Sequence, residues 1–193
     1  MSVVIEGSNW IMHIELPISD ASFYVLVASF ACAILIDFRA HRIPNWLVVA
    51  TLLSGWLLLA IDDGFSGLLR GMSGALVGLA GLLPFYVLRA MGAGDVKYMA
   101  AIGAHLGAAL AFQAVVATII SGGILGAIFV LFKGGAAEMA SRYADMARIS
   151  AVMKKVHYVP APEGSAAAER FPYSSAIVLG TLSILLIQEL RFL

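Results

Sequence analysis

Long apolar runs broken by short polar clusters set the plan of this chain. The first run, residues 18–37 (ISDASFYVLVASFACAILID), is long enough at about 1.5 Å per residue to cross a hydrocarbon core of roughly 30 Å. It ends at Asp37 and is followed by the basic loop Phe38-Arg39-Ala40-His41-Arg42-Ile43-Pro44-Asn45. In that loop Pro44 disfavours helix at Ile43 and Asn45 is suited to cap the next helix. A second run, residues 46–61, reaches the acidic turn Asp62-Asp63-Gly64. A third covers residues 68–88 and carries Gly71, Gly74, Gly78 and Gly81 at helical spacing; the Gly74/Gly78 step predicts close helix packing rather than a ligand site. The polar break Gly92-Ala93-Gly94-Asp95-Val96-Lys97 follows. From there to Lys133 about 36 residues have to serve two crossings, so residues 96–110 are expected to form a short fourth span, a turn to lie within residues 105–113, and a fifth span to run over 113–132. His105, beside Gly107 at a helix end, reads as interfacial packing rather than a ligand.

The polar stretch 133–172 has its own period: Met139, Tyr143, Met146, Ile149, Met153 and Val156 recur at spacings of three and four. With Arg142, Arg148, Lys154 and Lys155 on the remaining surface, residues 137–156 predict a basic amphipathic helix in the headgroup region or against a partner protein. Pro160, Pro162 and Gly164 make a linker, and Phe171-Pro172-Tyr173 leads into a last span over 174–188. The fold class is therefore all-α: one polytopic membrane domain over residues 1–193, with about six transmembrane helices and a cytoplasmic amphipathic helix.

Composition supports a membrane class, since 61% of residues are hydrophobic and only 12% charged. The formal net charge of zero gives no sign of a nucleic-acid partner. A single cysteine, Cys32, excludes an intrachain disulfide and a CxxC metal site, and its apolar setting predicts a packed thiol. The first 17 residues contain Glu6, His13 and Glu15 but no Lys or Arg, so no basic secretory n-region is expected.

Charge placement sets the orientation. Arg39, Arg42, Arg89, Lys97, Lys133, Arg142, Arg148, Lys154, Lys155 and Arg170 fall on one face, whereas the other holds only Arg70 and Arg191 among Glu6, Glu15, Asp20, Asp62 and Asp63. The positive-inside rule makes the first face cytoplasmic and leaves both termini outside. Two crossings separate Asp37 from Asp95, so both carboxylates are expected at the cytoplasmic ends of their helices.

An aspartate at the centre of a membrane helix costs roughly 2.5–3.5 kcal/mol, so both acids require a reason. Asp95 alone, after two glycines that permit a tight turn, is equally well read as a helix cap. A second carboxylate at the same depth changes that reading. Like charges about 4 Å apart repel by roughly 4 kcal/mol at an effective dielectric near 20, so one of the two holds a proton near neutral pH. The ionised partner then takes a proton from a shared water while the protonated one polarises a peptide carbonyl. The pair titrates as a unit, and the base is not assigned to either residue. The chemistry calls for no metal or other cofactor: His13, His41, His105 and His157 are scattered over both faces, and neither a GxSxG elbow nor a Cys/His pair is present. Lys97 either snorkels to the headgroups or orients the pair, and Arg39 and Arg42 are topology anchors.

The combination of Asp37 preceding FRAHRIPN, GAGDVK two helices later and a late Pro172-Tyr173 before the last span resembles the type IV prepilin peptidases, a branch of the GxGD membrane aspartic proteases. Without a large cytoplasmic insertion the chain looks most like the small peptidases of tight-adherence (Flp-type) pilus systems, over residues 18–190. The resemblance implies that Asp37 and Asp95 are the catalytic pair, and that the partner is a prepilin. Its basic leader would be cut on the cytoplasmic side of the bacterial inner membrane, at the edge of its hydrophobic helix. Around the pair, Gly92, Gly94, Lys97, Pro44, Asn45, Pro172 and Tyr173 are the supporting or substrate-binding candidates. The larger members also N-methylate the new terminus and carry paired cysteines; with one cysteine and no such domain, this chain is expected to cleave without methylating. Two other readings fit two intramembrane acids: a small proton- or cation-coupled transporter or channel, and a non-catalytic scaffold of a pilus or secretion machine.

Overall fold

In lipid, a segment satisfies its backbone N–H and C=O groups within itself only as a helix, and the long apolar runs fold accordingly. The computed structural model describes residues 18–40, 42–88, 90–132 and 173–190. Among these, every regular element is helical: α1 (Asp20–Ala40), α2 (Asn45–Val87), α3 (Ala93–Phe132) and α4 (Tyr173–Leu190). The first three are long and apolar enough to cross a membrane, and Tyr173–Gln188 is a shorter apolar helix. The expected N-terminal features, Pro172 and the basic amphipathic helix over 137–156 lie outside the described residues.

A straight α2 of 43 residues would measure about 65 Å, twice the hydrocarbon thickness. Gly64 prevents this. Its φ of 62° and ψ of −138° lie outside the helical region, in backbone territory that favours glycine. Beyond it Gly67 comes to rest on the backbone of Leu59, and Gly71 lies against Trp56 and Leu59, so the chain reverses at the acidic turn the sequence predicted. Gly107 (φ 74°, ψ 171°) interrupts α3 in the same way, inside the turn expected at 105–113. Gly78 sits against Met99 and Gly81, one turn on, against Val115, so the two halves of α3 flank the same stretch of α2.

The glycine row of α2 is the packing surface its spacing implied. A Cβ on Gly71 would stand 2.9 Å from the Ala104 carbonyl oxygen and one on Gly78 2.5 Å from that of Met99, while Gly74 and Gly103 meet backbone to backbone. α4 packs antiparallel on the second half of α3, with Gly180 on Thr118, Gly122 on Tyr173, and Gln188 Nε2 donating to Gln113 Oε1 (2.8 Å). α1 joins through Leu26, Phe30 and Ala33, and through a 3.0 Å hydrogen bond between the hydroxyls of Ser29 and Tyr98.

The buried core, which includes Leu26, Leu82, Tyr98, Met99 and Ile102, also holds small polar residues. Ser22, Ser29, Thr51, Thr118, Ser174 and Thr181 are buried, whereas Leu35, Leu53, Leu57, Ile61, Leu76 and Ile120 face outward. An apolar exterior of that extent is a lipid-facing surface.

Three local expectations are corrected. Asn45 does not cap α2: Pro44 holds the N-cap position with extended backbone (ψ 143°) and no side-chain capping bond, which puts Asn45 inside the first turn. Cys32 is exposed on the outer face of α1 rather than packed, because the buried stripe of that helix runs through Ser29, Phe30, Ala33 and Asp37. His105 is buried rather than interfacial, its Nε2 2.9 Å from the Thr51 carbonyl oxygen and 3.3 Å from Ser54 Oγ; the small residue Gly55 leaves room for the ring.

Candidate active site

The C-terminal end of α1 and the N-terminal ends of α2, α3 and α4 converge at one end of the bundle, and both singled-out acids lie there. Asp37 is the eighteenth residue of α1, on the face that also buries Ser29, Phe30 and Ala33, and it is only 5% exposed. A carboxylate in such a place needs hydrogen-bond donors. One donor comes from across the molecule: the backbone N–H of Ser174, in the first turn of α4, donates to Asp37 Oδ2 (3.3 Å). The first four amides of a helix have no partner within it and carry its positive dipole end, so α4 presents a ready donor to an anion.

Asp95 is placed differently from its expected cap position. α3 begins at Ala93, so Asp95 is the third residue of the helix, and its Oδ2 accepts from the Gly92 N–H behind it (3.2 Å). This is the carboxylate half of a capping box. Gly92 stays exposed, and a Cβ on it would stand 3.2 Å from Asp95 Oδ2. Gly94 is half-buried on Ile43, with a would-be Cβ 3.4 Å from the Ile43 carbonyl oxygen. The glycines thus let the first turn of α3 settle on the start of α2, where Pro44 holds extended backbone.

Asp37 and Asp95 lie within electrostatic reach of each other, and Asp95 in turn acts on Tyr173. The end of the bundle therefore brings together Asp37, Asp95, Gly92, Gly94, Pro44 and Tyr173. Lys97 and Asn45 are exposed.

Two contributions went unremarked in the sequence. Ser174 supplies the Asp37 donor, and its own Oγ is fully buried with no hydrogen-bond partner among the described residues. Tyr98, three residues after Asp95 and completely buried, ties α3 to α1 through Ser29. The i, i+3 spacing from Asp95 to Tyr98 was a readable signal; a serine after Pro-Tyr was not.

Two carboxylates at a glycine-opened helix end, one buried and one partly open, suit general acid–base work on an extended peptide. Residues 24–131 match the family model described as the type IV leader peptidase family, a stretch that includes both aspartates and the glycine break. No curated protein and no solved structure matches the chain.

Proposed function

Because the chain belongs to the type IV leader peptidase family, we propose that it removes the leaders of small Flp-type prepilins at the cytoplasmic face of the bacterial inner membrane, with Asp37 and Asp95 as a water-activating aspartic pair. The observation that carries this reading is the meeting of the two acids: distant in sequence, they share one end of the bundle beside the Gly92–Gly94 break.

In the proposed reaction the two carboxyls share one proton. The ionised member takes a proton from water as the oxygen attacks the scissile carbonyl, and the protonated member donates to the carbonyl oxygen. Collapse of the tetrahedral adduct breaks the C–N bond, and the amine leaves with a proton returned by the pair. The substrate is a membrane helix whose scissile peptide must be unwound, and the glycines beside Asp95 give extended backbone a surface to lie against. Reversals at Gly64 and Gly107 support a count of six crossings, with α2 and α3 each crossing twice, which puts both acids on the basic side. Tyr173 then stands at the entry to α4, beside the pair. Neither a metal nor another cofactor enters the scheme.

Co-expression with a prepilin carrying a short basic leader tests the proposal, with leader loss scored by mass. Leader removal is expected with the parent and not with Asp37→Asn or Asp95→Asn. Processing that survives either substitution contradicts the peptidase reading and returns the chain to the scaffold class; proton-coupled flux in liposomes without proteolysis would favour the transporter.

A further inference from the structure

The first turn of α4 carries a feature that the two-aspartate scheme does not use. Ser174 is fully buried and gives Asp37 its only hydrogen bond among the described residues, through the backbone N–H. The hydroxyl of the same residue has no partner among the described residues. Covalent geometry keeps a serine Oγ within about 4 Å of its own amide nitrogen, so this free donor lies next to the Asp37 carboxylate and a change of χ1 rotamer re-aims it. Burying a hydroxyl unpaired is unfavourable, and a carboxylate oxygen is the strongest acceptor such a donor can meet. On the other side of the pair, Asp95 has its local donor in Gly92, and Tyr173 precedes Ser174.

We propose that Ser174 is a positioning residue for the catalytic pair, holding Asp37 with two donors: its backbone N–H at rest and its hydroxyl in the substrate-bound enzyme. The inference rests on the peptidase reading of Asp37 and Asp95. With both bonds made, Asp37 is fixed in one orientation toward the reacting water; with the amide alone the carboxylate pivots about one oxygen. The loss is then felt in turnover and not in substrate affinity.

The test uses the full-length protein in liposomes with a synthetic prepilin, measuring kcat, KM and thermal midpoint. Ser174→Ala keeps the amide and removes the hydroxyl; kcat is expected to fall roughly 10- to 100-fold, the worth of one hydrogen bond to a charged group, with KM and midpoint at parental values. Ser174→Cys, similar in volume but a weak donor, is expected to lose kcat similarly, which covers the case in which the alanine variant fails to accumulate. Ser174→Thr restores the donor and is expected within about threefold of the parent. Thr181→Val, which deletes another buried, unpaired hydroxyl two turns along the same helix, is the packing control and is expected to leave kcat unchanged. Parental kcat in both Ser174→Ala and Ser174→Cys overturns the proposal while leaving the peptidase reading intact, as does equal loss in Ser174→Ala and Thr181→Val. Parental turnover by Asp37→Asn refutes the peptidase reading itself.

Discussion

The two acids owe their settings to different helix ends. Asp37 accepts from the Ser174 backbone N–H in the first turn of α4, and Asp95 turns back on the amide before its own helix. Side chains near them differ in what their loss should do. Lys97 is exposed, so Lys97→Gln is expected to leave kcat within about threefold of the parent, the result for a residue whose charge sits in water or headgroups. A larger drop would assign it to the pair. Gly94 rests on Ile43 at ordinary contact distance, so Gly94→Ala should be tolerated. Gly94→Leu should instead lift the first turn of α3 and lower cleavage at least about tenfold at normal protein level, because the reacting geometry tolerates little displacement. Unchanged cleavage by the leucine variant would remove close backbone approach from the account. Both acids were legible in the sequence because an ionisable group ending an apolar run demands explanation. Ser174 was not, since small hydroxyl residues are common in membrane helices and its role depends on a contact spanning 137 positions. Asn45 was misread because cap preference names a residue type, whereas Pro44 already fixed the extended backbone there.

Glycine has opposite consequences in different helices. Gly74 and Gly103 meet backbone to backbone where α2 crosses α3, whereas Gly126 in α3 has nothing within 4 Å of a would-be Cβ. Gly74→Val is therefore expected to force the helices apart and prevent accumulation of folded protein. Gly126→Ala should leave the fold intact and raise the thermal midpoint slightly, in line with the roughly 0.5–1 kcal/mol by which alanine outranks glycine within a helix. Melting in detergent reads both, and a stable Gly74→Val protein would contradict the packing described. The spacing Gly71, Gly74, Gly78, Gly81 announced a packing face, and the acidic Asp62-Asp63-Gly64 cluster announced the reversal of α2. Spacing gave no means of telling a packed glycine from a lipid-facing one, because both follow the same helical period. The interior place of His105 was hidden for a similar reason: Thr51 and Gly55, which accommodate it, belong to another helix.

Among the described residues, Leu35, Leu53, Leu57, Leu76 and other large apolar side chains face outward while Ser29, Thr51, Thr118 and Thr181 are buried, as suits a bundle in lipid. The proposed six crossings put position 63 outside and positions 39 and 93 inside. In a Cys32→Ala background, Asp63→Cys should react with an impermeant thiol reagent on intact cells, and Arg39→Cys and Ala93→Cys only after permeabilisation. Labelling of positions 63 and 93 from the same side would overturn the topology. Cleavage as proposed requires Asp37 and Asp95 to act as one unit, and the direct test is a double-mutant cycle on single-turnover prepilin cleavage in liposomes. Asp37→Asn, Asp95→Asn and the double variant are predicted to lose activity by the same factor, at least about 100-fold, because either change alone disables the shared chemistry. Separate losses that multiply in the double variant, or a single variant that still cleaves at the parental rate, would contradict it.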